Sequence, residues 1–136
     1  SNLKKAKQLF QQYGYPGKDL VGAKASHRFW VIVQHCDKDV PFQQKVLSQL
    51  KREVEQGNAN AKDYAYLLDR TKVNLSEPQV FGTQIELNDA GTAFQPQAMI
   101  EPAQVNQRRK EVGLETLEAY LDTCNQLYYS SLKSDS

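Results

Sequence analysis

Between residues 80 and 87 the chain changes its period. Phe81, Thr83, Ile85 and Leu87 alternate with Val80, Gly82, Gln84 and Glu86, the spacing of a strand whose side chains point to opposite faces in turn. On either side of this segment the apolar residues recur three and four positions apart, the spacing of one helical face. Asn88-Asp89-Ala90-Gly91 supplies turn chemistry, and Thr92 to Gln95 returns as a second strand. A lone hairpin is marginal in water, so its apolar face must pack on something else. These demands predict a mainly α fold: a single-domain helical array with one β-hairpin packed against the helices.

The helical segments follow from their stripes. Leu3, Ala6, Phe10 and Tyr13 form the first, which Gly14, Pro16 and Gly17 break. The second is expected from about Ala23 to Cys36, with Phe29, Ile32, Val33 and Cys36 on one face and Trp30 beside them. Asp37 to Asp39 make a polar joint, and Pro41 sits where a first turn tolerates it. Phe42, Val46, Leu50 and Val54 then carry a third helix to Gly57, a suitable C-terminal cap. Asn60 with Asp63 resembles a loosened capping box for a fourth helix, whose buried side would be Ala61, Tyr64, Ala65 and Leu68. After the hairpin, Glu101-Pro102 restarts a helix that reaches Gly113, and Leu114, Leu117, Leu121, Cys124 and Tyr128 mark the last one.

The chain has 136 residues, the size of one domain spanning 1–136, with an ordered core from about 3 to 129 and a fraying tail over 130–136. A chain of this length can bury about two-thirds of its unfolded surface without a disulfide or metal. Seventeen basic residues against sixteen acidic ones leave a net charge of +1, which argues against nucleic acid as the default partner. Cys36 and Cys124 stand 88 positions apart with no CxxC pair, so one bridge and none are both open. No apolar run approaches the roughly 20 residues of a membrane span. The chain begins Ser-Asn without Met, which leaves a cytoplasmic location and export after removal of an N-terminal segment both open.

Some polar residues are candidates for chemistry. His35 and Asp37 stand where the second helix ends; they act together only if the helix has already unwound, because two-residue spacing points side chains to opposite sides. His35 is then either a catalytic base oriented by Asp37 or a cap on the helix C-terminus. His27 and His35 lie about 12 Å apart along a helix and share no ion, and no metal or cofactor motif is present. Gln43 shares a face with Val46, Leu47 and Leu50, so its amide either satisfies a buried carbonyl or lines a pocket. Asp69 can orient Arg70, whose planar fork grips carboxylate or phosphate, and Gln84 projects from the hairpin beside Gly82. The alternative for Arg70 is an ion pair tying helix to hairpin. Arg109 shares a face with Val105 and Val112, which packs its stem and leaves its head to reach Asp69, Asp37 or an anion.

Taken together, Gly14-Tyr15-Pro16, Val21-Gly22, Gln34-His35-Cys36-Asp37, Phe42-Gln43, Tyr64 to Arg70 and Gln79 to Gln84 resemble a bacterial domain family of unknown function. Its pattern runs GYP…VG…QHxD…FQ…YAxLxDR…PQxYGTQ, closing with NxRR…VGL, here Asn106 to Arg109 and Val112 to Leu114. Phe81 stands where that pattern usually has Tyr. The resemblance implies that His35, Asp37, Gln43, Asp69, Arg70, Gln84 and Arg109 form one polar set. The expectation drawn from it is a pocket for a small molecule or peptide between the helices and the hairpin. Arg70 and Arg109 would meet an anionic group there, and His35 and Asp37 would supply hydrolytic or transfer chemistry. The competing expectation is a protein-interaction module, such as an adaptor or a toxin-neutralising immunity protein.

Overall fold

The computed structural model describes residues 2–18 and 22–134; Val21 and the side chain of Leu3 lie outside the described residues. Six α-helices appear among them: α1 (Asn2–Tyr13), α2 (Ala23–Gln34), α3 (Val40–Glu55), α4 (Ala61–Asn74), α5 (Val105–Glu111) and α6 (Leu117–Ser134). Strands β1 (Ile85–Leu87) and β2 (Phe94–Pro96) pair antiparallel, with Ile85 opposite Pro96 and Leu87 opposite Phe94.

The helix ends follow local chemistry. The Asp39 side chain accepts from Phe42 N at 3.3 Å to open α3, and Asn60 accepts from Lys62 N at 2.9 Å to open α4. Gly57, at φ 74°, turns the chain out of α3 in the left-handed conformation that glycine takes without strain. Helix α2 ends at Gln34, two residues earlier than its stripe suggests, and His35 takes its C-cap. Helix α6 reaches Ser134, so it includes the first residues of the tail expected to fray; Asp135 and Ser136 lie outside the described residues.

The main core is aromatic. Phe10, Tyr15, Phe29 and Phe42 meet Ala6, Val33, Val46, Leu50 and Leu67. Phe10 stacks on Phe29 and meets Phe42 edge-on, at 6.3 and 5.8 Å between centroids. Tyr13, placed on the same stripe by its spacing, is exposed, because it is the last residue of α1. Helix α4 is covered on more than one side: Ala65, Leu67, Asp69 and Thr71 are all buried, and Leu67 rather than Leu68 enters the core. Trp30 of α2 donates its indole N–H to the Asp63 carbonyl of α4 at 2.8 Å.

The hairpin packs on α6. Phe94 N donates to Asn125 Oδ1 at 2.6 Å, the Phe94 and Tyr128 rings lie 5.2 Å apart, and the Tyr128 hydroxyl donates to the Gly91 carbonyl at 3.0 Å. Its first strand is shorter than the alternation implied. Residues 80–84 do not pair with β2; they form a loop drawn onto α4 and α5.

Candidate functional site

Asp69 and Arg70 are neighbours in sequence and work on different elements. One residue along a helix turns about 100°, so consecutive side chains cannot share a face. Asp69 does not orient Arg70. Fully buried, it accepts from Val80 N at 2.8 Å, Phe81 N at 2.9 Å, Thr83 N at 3.0 Å and the Thr83 hydroxyl at 2.7 Å. These four donors bind a carboxylate to a loop with no regular structure of its own, which is why the strand period fails there.

Arg109 holds the same loop from α5. It is fully buried, and donates from Nη1 to the Phe81 carbonyl at 2.7 Å and from Nε to the Glu115 carbonyl at 2.6 Å. Its Nη2 has no hydrogen-bond partner in the protein, and the face of Tyr120, 4.9 Å from the guanidinium carbon, offsets part of that cost. The Tyr120 hydroxyl donates to the Thr83 carbonyl at 2.8 Å, and burial, with Tyr66 and Cys124 nearby, raises its pKa and keeps it a donor.

Gln79 closes the loop. Also fully buried, it donates to the Gln84 and Gln97 carbonyls at 2.8 and 2.9 Å and accepts from Gln84 N at 2.9 Å. The Gln84 amide itself turns to the Thr83 hydroxyl at 3.0 Å. Gly82 leaves no open backbone: a Cβ there would stand 3.0 Å from Met99 Sδ and 3.2 Å from Leu117 Cδ1.

Arg70 faces the joint between α2 and α3. It grips Asp37 with both arms of its fork, Nε to Oδ1 at 2.8 Å and Nη2 to Oδ2 at 2.7 Å. Asn74, one turn along α4, donates to the same Oδ1 at 3.0 Å and to Gln43 Oε1 at 3.2 Å. Gln43 is fully buried and donates onward to the Val33 carbonyl at 3.0 Å, in the last turn of α2. It therefore satisfies a helix-end carbonyl, one of the two roles its position allows. The Arg70 guanidinium, with Asn74 helping, holds the Asp37 carboxyl well below the usual carboxylate range.

The polar set thus gathers in two hydrogen-bonded groups on α4. Asp69, Gln84 and Arg109 share the 79–84 loop, while Asp37, Gln43 and Arg70 share the α2–α3 joint. His35 belongs to the second region. It is exposed, and with Val31, Ile32, Cys36, Asp37, Lys38 and Asp39 it lines an open hollow of about 870 Å³. The Cys36 thiol donates to the Ile32 carbonyl at 2.9 Å, and burial, reinforced by Asp39 and Asp37, raises its pKa. A thiol held protonated in this way is a weak nucleophile. Both cysteines are unpaired. No group of three or more His, Cys, Asp or Glu among the described residues is placed to hold a metal ion, and no helix there is long and apolar enough to cross a membrane.

A second hollow, of about 380 Å³, adjoins the first at Asp39 and is lined by Lys7, Phe10, Gln11, Pro41, Phe42, Lys45 and Gln49. Phe10, Pro41 and Phe42 were expected only as helix-forming or core residues, and no motif marks Lys7, Gln11, Lys45 or Gln49. Asn74 was legible in principle: it lies four residues after Arg70, on the same helical face.

A family model matches residues 1–133, nearly the whole chain and all of both groups. The chain belongs to DUF6624, a family of unknown function. No curated protein and no solved structure matches this DUF6624 chain.

Proposed function

We propose that this protein binds a small, largely apolar molecule in the hollow at the α2–α3 joint. The observation that carries the reading is the hollow itself. Its floor is aliphatic, from Val31 and Ile32, and its volume of about 870 Å³ lies within the usual range for ligand pockets. Its wall is fixed by the Arg70–Asp37 pair and by Gln43 behind it. His35 stands at the rim, where its exposed imidazole would meet a ligand. Asp37, Gln43 and Arg70 act by holding the wall in place, and Asp69, Gln84 and Arg109 by holding the loop on the other face of α4.

Binding is as far as the geometry favours going. A catalytic His35 would need an orienting acceptor, and Asp37 already gives both oxygens to Arg70 and Asn74. Arg109 is also a poor second arm for an anion held by Arg70, since it is fully buried and turned to carbonyls. The test is a thermal-shift screen of small apolar compounds against the native chain and Val31→Trp, which fills the hollow from a half-buried position. A true ligand at one hundred times its Kd stabilises the native chain by about 2.7 kcal/mol, and the indole abolishes that shift. A ligand that stabilises both proteins equally binds elsewhere and refutes the reading.

A second reading, a protein-interaction module, draws on α6. Tyr129 and Leu132, three residues apart on one face, are 45% and 50% exposed there, and neighbouring exposed apolar side chains favour a protein contact. Tyr129→Glu with Leu132→Glu would remove such a contact while leaving the α2–α3 hollow intact.

A further inference from the structure

The charges around the two adjoining hollows are unequal. Lys7, Lys38 and Lys45 line them, with Arg70 just behind, against the carboxylates of Asp37 and Asp39. Asp37 is matched by Arg70, and Asp39 by an ion pair with Lys7. Lys45 also acts on Asp39, helping to lower its pKa behind Lys7 and Phe42 N. The excess is therefore positive: Lys38 at the larger hollow and Lys45 at the smaller one are left over from these pairs, and Lys45 lies beside Gln49. Gln49 sharpens the bias. Its Oε1 accepts from Tyr15 N at 3.1 Å, which leaves the amide nitrogen as a further donor beside the lysines. The larger hollow offers the opposite chemistry, an aliphatic floor of Val31 and Ile32 with the Cys36 thiol already turned to its own helix.

We infer that the two hollows form one site for an amphipathic carboxylate, its acid group at Lys45 and Gln49 and its aliphatic body across the Lys7–Asp39 pair on Val31 and Ile32. This rests on the binding role proposed for the larger hollow and adds the chemical class of the ligand. An amphipathic cation fits worse, because the two carboxylates available to it are already paired. A short polar anion fits worse as well, because it leaves the aliphatic floor to water.

Octanoate is the probe, titrated into the isotopically labelled chain and followed by amide chemical shifts, with octanol, octylammonium and acetate as comparisons. Octanoate is expected to move amides in two separate segments, 31–39 and 45–49, and to bind more tightly than the other three. Lys45→Gln removes one exposed charge and leaves the core alone, and weakens octanoate about five-fold without changing octanol. Val31→Trp removes the response to both. If octanol matches octanoate and Lys45→Gln changes neither, the anion assignment falls while the apolar hollow stands. If no probe moves either segment, both fall.

Discussion

Replacing Asp69 measures how far the 79–84 loop depends on a single carboxylate. In Asp69→Ala three backbone N–H groups, from Val80, Phe81 and Thr83, and one hydroxyl lose their acceptor. Each buried orphan costs about 1–3 kcal/mol. The Thr83 hydroxyl can rotate, and water can enter the space left, so about 4 kcal/mol is the expected loss. A chain of this length has a total stability of roughly 7–20 kcal/mol, so this one side chain would hold a large share of it. Asp69→Asn separates hydrogen bonding from volume. Its oxygen can still serve Val80 and Phe81, while its NH2 group opposes Thr83 N, for a loss of about 2 kcal/mol. Urea unfolding at pH 7, followed through the fluorescence of Trp30, the single tryptophan, gives both values. Amide exchange at Val80, Phe81 and Thr83 shows whether the loop opens before the rest. If Asp69→Ala costs under about 1 kcal/mol, or Asn costs as much as Ala, the carboxylate does not organise the loop.

The Arg70–Asp37 pair predicts a pH signature. Because the folded pKa of Asp37 is lowered, its stabilisation is present above the unfolded value of about 3.9 and is lost as pH falls through the folded value. Asp37 is 43% exposed, so Arg70→Met should cost only about 1 kcal/mol at pH 7. That gap should close below pH 4, as read by urea unfolding at several pH values; a gap independent of pH contradicts the pairing. Gly82→Ala should lose about 2 kcal/mol or more, from φ 69° and from crowding against Met99 and Leu117. Thermal unfolding decides it, and a neutral result would mean that the loop shifts freely.

The helices were legible because burial imposes a period, and that period is local. Phe29 with Val33, and Phe42 with Val46 and Leu50, declared their faces in sequence, as Asn60 declared its cap. The stretch from Phe81 to Gln84 misled for the same reason. Its alternation is real, but the Asp69 carboxylate, eleven to fourteen positions earlier, outcompetes strand pairing for its N–H groups. Nothing local announces such a long-range acceptor. Arg109 was placed correctly as a packed stem, yet its head went to carbonyls rather than to an acid. Adjacency in sequence made Asp69 and Arg70 look like partners, whereas the turn between consecutive helical residues sends them to different elements. The hollow lined by Lys7 and Lys45 left no trace, because its walls come from two helices far apart in the chain.

That α4 serves both groups with consecutive residues has a consequence for how such chains can change. Inserting or deleting one residue in the first half of α4 would rotate Asp69 and Arg70 together, taking the loop's acceptor and the joint's clamp away in a single step. Substitutions can be tried at either side chain separately, but length changes there cannot be confined to one of them. Related chains that keep both networks should therefore hold the spacing from the α4 cap to this dipeptide fixed, while the turns at either end of the helix are free to lengthen.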